Sequence, residues 1–145
     1  MSAPRYVLDS CVFIKLFLEE PDSAQARRFI ADTLQAGGSF VVPELFTYEV
    51  LQVARNSGAD FDAVLDILIN RRDSNGIEII TPSRQHWLKA QALSREGHAK
   101  SGFPSLYDSI YHAIALVEGI DFVTADARHI AKTKNQGAVK LLGGL

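Results

Sequence analysis

Four acidic residues occupy positions from which their carboxylates could act together: Asp9, Glu49, Asp108 and Asp126. Asp9 ends a short apolar run, and Asp126 follows another such run by two residues. Asp108 falls in the first turn of a predicted helix that leads into the second run. Loops and helix N-termini gather at the carboxyl ends of strands in an open α/β sheet, so we expect these side chains to meet at one sheet edge.

Glu49 lies within a predicted helix, between Leu45 and Val53 on its apolar stripe. A carboxylate on a buried face is costly unless a cation or strong hydrogen-bond donors compensate for its charge. A metal ion would explain this position. The alternative is a surface helix rotated slightly, so that Glu49 reaches solvent.

The other three acids also have structural alternatives. Asp9 could cap the short helix after it, and Asp126 could cap the last helix. Asp108 fits the third helical position of a capping box, where a carboxylate favours the helix dipole. We expect it to share a helical face with His112 and Ala115, opposite the apolar stripe of that helix. Each acid taken alone is therefore open to two interpretations.

Considered together, the four carboxylates favour a divalent cation, because like charges at one sheet edge would repel one another without it. Hard oxygen ligands suit Mg²⁺ or Mn²⁺. Cys11 is the only cysteine and the four histidines are scattered, so no cluster has the spacing of zinc ligands. The sequence thus predicts a magnesium or manganese site at Asp9, Glu49, Asp108 and Asp126.

The charge of the chain is uneven. A net charge of -2 argues against binding nucleic acid mainly by bulk electrostatics. After Asp126, however, the sequence contains no acid and four basic residues: Arg128, Lys132, Lys134 and Lys140. A solvated helix face and a phosphate-contacting role both remain open for this segment.

Short runs rich in β-branched residues alternate with stretches of helical spacing, which predicts an α/β fold with a mostly parallel sheet. We expect strands at Arg5–Asp9, Ser39–Val42, Gly76–Thr81, Asp121–Thr124 and Ala138–Leu142. We expect helices at Val12–Glu19, Asp22–Ala36, Pro43–Asn56, Asp60–Arg72, Ser83–Lys100, Ser105–Glu118 and Ala127–Lys134. Pro43 suits a first helical position, and Ser83 and Ser105 can cap their helices.

A length of 145 residues matches a single domain, expected here over residues 1–145. The lone Cys11 and an N-terminus without a signal-peptide pattern predict a cytoplasmic protein. No apolar stretch is long enough for a membrane-spanning helix, so no membrane association is expected. Trp87 lies on a predicted helix near Leu88 and Ala90, which suggests a place in the core or in a dimer interface.

Four segments resemble, in order, the motifs of the PIN-domain nucleases, and specifically of the toxin ribonucleases of VapBC-type toxin–antitoxin pairs: YVLDS at 6–10, PELFTYEV at 43–50, YDSIYHAIA at 107–115 and FVTAD at 122–126. The resemblance spans nearly the whole chain. It implies a three-layer α/β/α sandwich, Mg²⁺ or Mn²⁺ at the acidic pocket, RNA as substrate, a homodimer, and inhibition by a cognate antitoxin.

Within this resemblance, Asp9 and Asp108 are expected to hold the principal metal ion, with Glu49 and Asp126 completing its shell or holding a second ion. Two hydroxyl residues, Ser10 and Thr124, are candidates to orient these carboxylates, although each could equally be a satisfied hydroxyl at a strand end. Arg128 and Lys132 are candidates for contacts with RNA phosphates.

Two other functions compete with a metal-dependent endoribonuclease. A catalytically silent PIN-like module would keep the fold and bind RNA or protein, although the intact set of four acids counts against it. A phosphoryl-transfer enzyme could use Asp9 as its nucleophile. Haloacid-dehalogenase-like phosphatases place a second aspartate two positions later, where this chain has Cys11.

Overall fold

A computed structural model describes residues 3–69, 76–98, 100–133 and 135–145, and strands alternate with helices along this part of the chain. The strands are β1 (Arg5–Leu8), β2 (Ser39–Pro43), β3 (Ile77–Ile80), β4 (Asp121–Thr124) and β5 (Val139–Leu141). The α-helices are α1 (Ser10–Phe13), α2 (Ser23–Gln35), α3 (Leu45–Ser57), α4 (Phe61–Ile69), α5 (Arg84–Arg95), α6 (Leu106–Glu118) and α7 (Ala127–Lys132). Short 3-10 helices cover Ile14–Leu16 and Leu142–Gly144.

The five described strands form one parallel sheet in the order β3-β2-β1-β4-β5. From the central β1 the chain adds β2 and β3 on one side, and it later adds β4 and β5 on the other. The loops that leave β1 and β4 therefore diverge at a topological switch point. In sheets of this type, ligands bind in the crevice that such a divergence opens. Asp9 and Asp126 lie in these two loops.

Helices cover both faces of the sheet. On one face, Phe29 of α2 packs against Tyr6 and Phe40. On the other, the ring of Tyr111 from α6 stacks on Phe122, with the ring centroids 5.6 Å apart. Phe122 pairs in register with Val7, one residue after Tyr6, and successive side chains of a strand point to opposite faces. The predicted α/β/α sandwich is confirmed.

The strands are apolar because both of their faces are covered, as expected of a parallel sheet. Val7 and Leu8 of β1 are fully buried, as are Phe40 and Val42 of β2, and these side chains belong to one hydrophobic cluster that also includes residues of the flanking helices. Among the described helices, none has the length and apolar character needed to cross a bilayer.

Pro43 does not begin a helix, as the sequence had suggested. It is the last residue of β2 and pairs with Ile80 of β3. Proline has no N–H to donate to a ladder, so it is tolerated where a strand ends. Glu44 then precedes α3, which begins at Leu45.

The helix predicted at Val12–Glu19 is also wrong in its bounds. Asp9 caps α1 through the Cys11 N–H, so the helix begins earlier, and it gives way to a 3-10 turn after Phe13. Beyond that turn, the Ser23 hydroxyl donates to the Leu18 carbonyl at 3.0 Å and accepts from the Glu20 N–H at 2.8 Å. These local bonds replace those that would continue a helix.

The helix predicted to reach Lys100 ends at Arg95. The chain then forms a tight turn, in which the His98 N–H donates to the Gly102 carbonyl at 3.0 Å. Gly97 packs so closely against Gly102 that a Cβ atom would lie 2.5 Å from that carbonyl oxygen. The predicted caps Ser83 and Ser105 are both present. Three predicted element portions, at 70–72, 99 and 134, fall outside the described residues.

Candidate active site

Asp9 directly follows β1, and the end of β4 holds its carboxylate. The Thr124 hydroxyl donates to Asp9 Oδ2 at 2.7 Å and accepts from the Asp126 N–H at 3.0 Å. The other oxygen, Oδ1, accepts from the Cys11 N–H at 3.4 Å. Val7 and Phe122 are register partners, so Asp9 and Thr124, two residues further on, face the same side of the sheet. Thr124 thereby connects the loops that carry two of the predicted acids.

Glu49 reaches Asp9 from α3 through Ser10. The Ser10 hydroxyl lies 3.1 Å from Glu49 Oε1 and 3.4 Å from Asp9 Oδ1. Tyr111 donates a second hydrogen bond to Glu49 Oε1 at 2.5 Å. Glu49 is half-buried, as its position on the apolar stripe predicted, and hydroxyl donors partly compensate for its charge.

Asp108 and Asp126 lie at the N-termini of α6 and α7. The Ser105 hydroxyl accepts from the Asp108 N–H at 3.1 Å, while Asp126 caps α7 by accepting from the Arg128 N–H at 2.9 Å. Burial raises the pKa of Asp108 above its ordinary value, and the negative charge of Asp126 raises it further, against the opposing effects of Ser105, Lys132 and Arg128. The N-termini of α6 and α7 are thus both capped. The Asp108 and Asp126 carboxylates remain available for another role.

The prediction that His112 and Ala115 lie on a face of α6 away from the core is wrong. His112 and Ala115 are fully buried, as are Ile110 and Ala113 of the predicted apolar stripe, whereas Leu106 is exposed. The helix packs on the sheet and also against α5, and the His112 ring donates to the Gly137 carbonyl at 2.7 Å. The middle of α6 is therefore buried on all sides, and Asp108 lies at its half-buried first turn.

The electrostatics of the Asp9 side chain suit a cation. Burial, with a smaller contribution from the nearby Glu49 charge, raises the pKa of Asp9 to about 6, against the hydrogen bonds from Thr124 and Cys11. Within the described part of the chain, no lysine, arginine or histidine forms an ion pair with Asp9, Glu49 or Asp108. The site thus combines oxygen donors with negative charge on Asp9 and Glu49 that no ion pair from the described residues neutralises, and this donor set fits Mg²⁺ or Mn²⁺.

The four carboxylates form two pairs in this structure. Asp9 lies with Glu49, and Asp108 lies with Asp126. Among the described residues, no group of three or more histidine, cysteine, aspartate or glutamate side chains is arranged to hold a metal ion. All four acids lie at the predicted sheet edge, and their joint action on one metal stays a prediction.

The basic candidates flank the second pair. The Arg128 side chain is 89% exposed, with its Nε 3.7 Å from Asp126 Oδ1. Lys132 lies one turn later on α7, and its charge lowers the pKa of Asp108. Their position places positive charge beside the acids, at the edge where a polyanion would have to approach.

Tyr111 contacts Glu49, and this contact was not predicted from the sequence. It occurs in the third motif, three residues after Asp108, but no role was predicted for it. Burial raises the pKa of the Tyr111 phenol, and the Glu49 and Asp9 charges raise it further, so the hydroxyl keeps its proton and acts as a donor. One feature of the sequence could have indicated this contact: Tyr111 lies in a largely apolar helix, and a buried phenol usually needs a hydrogen-bond partner.

Comparisons with known proteins agree with this architecture. The sequence matches the PIN domain family over residues 6–135. The fold is similar to a toxin–antitoxin complex from Klebsiella pneumoniae, with a TM-score of 0.65, 18% identity, and 96% of this chain and 97% of that chain covered. It is similar to VapBC2 from Rickettsia felis, solved with a DNA fragment from its promoter, with a TM-score of 0.65, 17% identity, and 94% and 96% covered.

A third similar structure is VapC20 from Mycobacterium tuberculosis, described as a Sarcin-Ricin loop cleaving toxin, with a TM-score of 0.63, 14% identity, and 87% of this chain and 93% of that chain covered. A search of curated proteins gave no match. The family match spans most of the sequence, so this chain belongs to the PIN domain family. The resemblance to VapBC-type toxins predicted from the motifs is confirmed at the level of fold.

Proposed function

We propose that this protein is a metal-dependent endoribonuclease, the toxin of a toxin–antitoxin pair, which hydrolyses RNA phosphodiester bonds at the edge formed by Asp9, Glu49, Asp108 and Asp126. The proposal rests on the environment of Asp9. Its carboxylate lies at the switch point of a PIN-domain sheet, has a raised pKa, contacts a second acidic residue through Ser10, and has no basic partner in the described part of the chain.

In this proposal Asp9 and Asp108 hold the principal Mg²⁺ or Mn²⁺, and Glu49 and Asp126 complete its shell or hold a second ion. The bound cation supplies a water of lowered pKa and offsets negative charge on the phosphate oxygens. Thr124 and Ser10 orient the Asp9 carboxylate, because their hydroxyls contact both of its oxygens. Glu49 or Asp126 accepts the proton of the attacking water, and Arg128 and Lys132 bind the RNA backbone.

The partners belong to the same proposal. Two of the similar folds are a toxin–antitoxin complex and VapBC2, which supports a cognate antitoxin for this chain. Exposed apolar residues on α5 and α6, among them Trp87 and Leu106, support a homodimer. RNA substrate and antitoxin would both be met in the cytoplasm, where we place the protein.

The test is cleavage of a structured RNA pool by the purified protein. Wild type is compared with Asp9→Asn in Mn²⁺ and in EDTA, with Asp32→Asn, at an exposed position of α2, as the matched control. We expect cleavage by wild type and by Asp32→Asn in Mn²⁺, and none by Asp9→Asn or in EDTA. Equal cleavage by Asp9→Asn would reject the assignment of the site. A wild type that binds Mn²⁺ and RNA without cutting would favour the catalytically silent module.

A further inference from the structure

The hydroxyl of Tyr111 contacts one of the acids and has no role in the proposal above. This residue lies on α6, one turn after Asp108, and its side chain is 1% exposed. The ring lies nearly parallel to Phe122 of β4, at an interplanar angle of 17°. Packing on a strand therefore fixes the direction in which the phenol points.

The hydroxyl of Tyr111 points at Glu49. Tyr111 and Ser10 both contact the same carboxylate oxygen, Oε1, at 2.5 Å and 3.1 Å. The first of these distances is typical of a hydrogen bond from a neutral hydroxyl to a charged oxygen. The second oxygen, Oε2, accepts no hydrogen bond from the described residues. Two donors thus hold one oxygen, and the other has no hydrogen-bond partner among the residues that the structure describes.

Glutamate has three rotatable side-chain bonds, so an unrestrained carboxylate would sample several rotamers. Precise ligand or base chemistry requires one of them, and a donor on a rigid element selects it. The phenol comes from the buried middle of α6, which also carries Asp108. The same helix therefore presents one acid of the site and fixes the orientation of another from α3.

We propose that Tyr111 is a positioning residue, whose hydroxyl holds the Glu49 carboxylate with Oε2 free to bind a divalent cation or to accept a proton from water. This inference rests on the proposed function. A purely structural role is the competing explanation, because a buried phenol needs a partner whether or not Glu49 acts in the site. The two explanations differ in what happens to metal affinity when the hydroxyl is removed.

The experiment uses Tyr111→Phe in the full-length protein, which retains the ring and removes one oxygen atom. Tyr48→Phe is the matched control, since Tyr48 precedes Glu49 on α3 and is 74% exposed. Mn²⁺ affinity is measured by calorimetry, RNA cleavage is measured at saturating Mn²⁺, and thermal unfolding in EDTA reports on folding. Each change is also made in a Glu49→Ala background.

We expect Tyr111→Phe to weaken Mn²⁺ binding or to lower kcat by about 10- to 100-fold, the range seen when groups orienting a metal ligand are removed. Tyr48→Phe should match wild type. In the Glu49→Ala background, Tyr111→Phe should have no further effect, because the carboxylate it orients is gone. Ser10→Ala, which removes the other donor to Oε1, should change the same quantities in the same direction and applies if Tyr111→Phe does not fold.

Two negative outcomes have different meanings. Tyr111→Phe with unchanged Mn²⁺ affinity and unchanged kcat, or with an equal effect in the Glu49→Ala background, would overturn the positioning role while the nuclease proposal stands. Wild type that neither binds Mn²⁺ nor cleaves RNA would instead overturn the proposed function, and the positioning role with it.

Discussion

The charged form of Asp9 is costly in the folded protein. Its folded-state pKa of about 6 exceeds the ordinary aspartate value of 3.8, because burial penalises the charged form. The folded protein therefore binds a proton more tightly than the unfolded chain does between these pH values, and stability falls as pH rises through this window. At pH 7 the full penalty is present, unless a bound cation compensates for the charge.

Removing this charge should stabilise the metal-free protein. We expect Asp9→Asn to raise the free energy of unfolding in EDTA at pH 7 by about 1 to 3 kcal/mol, because a shift of one pKa unit corresponds to about 1.4 kcal/mol. Urea unfolding measures the difference. Asp32→Asn, at an exposed position of α2, should change the free energy of unfolding by less than about 0.5 kcal/mol. An Asp9→Asn protein less stable than wild type would show that Asp9 serves the fold and not a ligand.

At the scale of residues, the sequence indicated the acids but not how they are held. Asp9, Asp108 and Asp126 could be placed at one edge because the ends of strands and the starts of helices are local patterns. The contact of Tyr111 with Glu49 joins residues 62 positions apart, and nothing local reports such a pairing. The same limit explains His112, whose burial depends on a loop 25 residues later.

At the scale of elements, α7 joins the basic residues to the site. Asp126 caps its N-terminus, and Arg128 and Lys132 lie on its first and second turns. The structure leaves Arg128 largely exposed beside the acids, so a phosphate group could reach it.

Replacing either basic residue should therefore weaken RNA binding through counterion release. We expect Arg128→Ala and Lys132→Ala each to reduce the slope of log Kd against log salt by about 0.7, the value for one phosphate contact on a single strand. Arg27→Ala is the control, because Arg27 pairs with Glu19 on the surface at 3.5 Å. Binding is measured with the Asp9→Asn protein to prevent cleavage. An unchanged slope would show that Arg128 and Lys132 lie on a solvated face and do not contact phosphates.

The packing of α7 on α6 depends on two buried histidines. His112 donates from Nε2 to the Gly137 carbonyl, so its Nδ1 accepts the proton of His129 Nε2 at 3.1 Å. The remaining nitrogen of His129, Nδ1, has no hydrogen-bond partner in the described part of the chain. Burial, with a smaller contribution from the His112 ring, lowers the pKa of His129 to about 4, and burial also lowers the pKa of His112, so both rings are neutral near pH 7.

Acid should therefore destabilise this contact. Between pH 6.5 and 4 the unfolded chain protonates His129 while the folded protein does not, so stability falls as the pH falls, by roughly 3 kcal/mol at most. His129→Phe should flatten this dependence in urea unfolding, whereas His98→Gln should retain it. Asp9 acts in the opposite direction over part of this range, so the comparison is between variants. Identical slopes for wild type and His129→Phe would contradict the assignment.

Sequence patterns predicted the elements more reliably than their ends. The five strands follow from short β-branched runs, and the caps Ser83 and Ser105 follow from residue type. The end of α5 could not be predicted, because it depends on close contact between Gly97 and Gly102. The end of β2 at Pro43 depends on pairing with Ile80 of a strand that comes much later in the chain.

At the scale of the whole molecule, the parallel sheet order brings together residues from the beginning, middle and end of the chain. Asp9 and Asp126 meet because β1 and β4 are neighbours, although more than a hundred residues separate them. The alternation of elements and the four motifs predicted this arrangement in the sequence. A single domain over residues 1–145 stays a prediction.

The exposed apolar residues of the molecule predict that it forms a dimer. Trp87 was predicted to lie in the core or in an interface, and it is 45% exposed next to the apolar side chains of Leu106 and Tyr107. We expect light scattering to give the mass of a dimer, and Trp87→Ser to shift it toward the monomer. Leu34→Ser on α2 should leave the mass unchanged. A monomeric wild type at micromolar concentration would contradict the homodimer.

The central claim is that the acids at this sheet edge bind a divalent cation. The most direct measurement is an anomalous difference map from crystals of the wild-type protein grown with Mn²⁺. We expect a peak coordinated by Asp9 and Asp108, near Glu49 and Asp126, that is absent from Asp9→Asn crystals. A fully ordered site without a peak at saturating Mn²⁺, or a peak bound only elsewhere on the molecule, would contradict it.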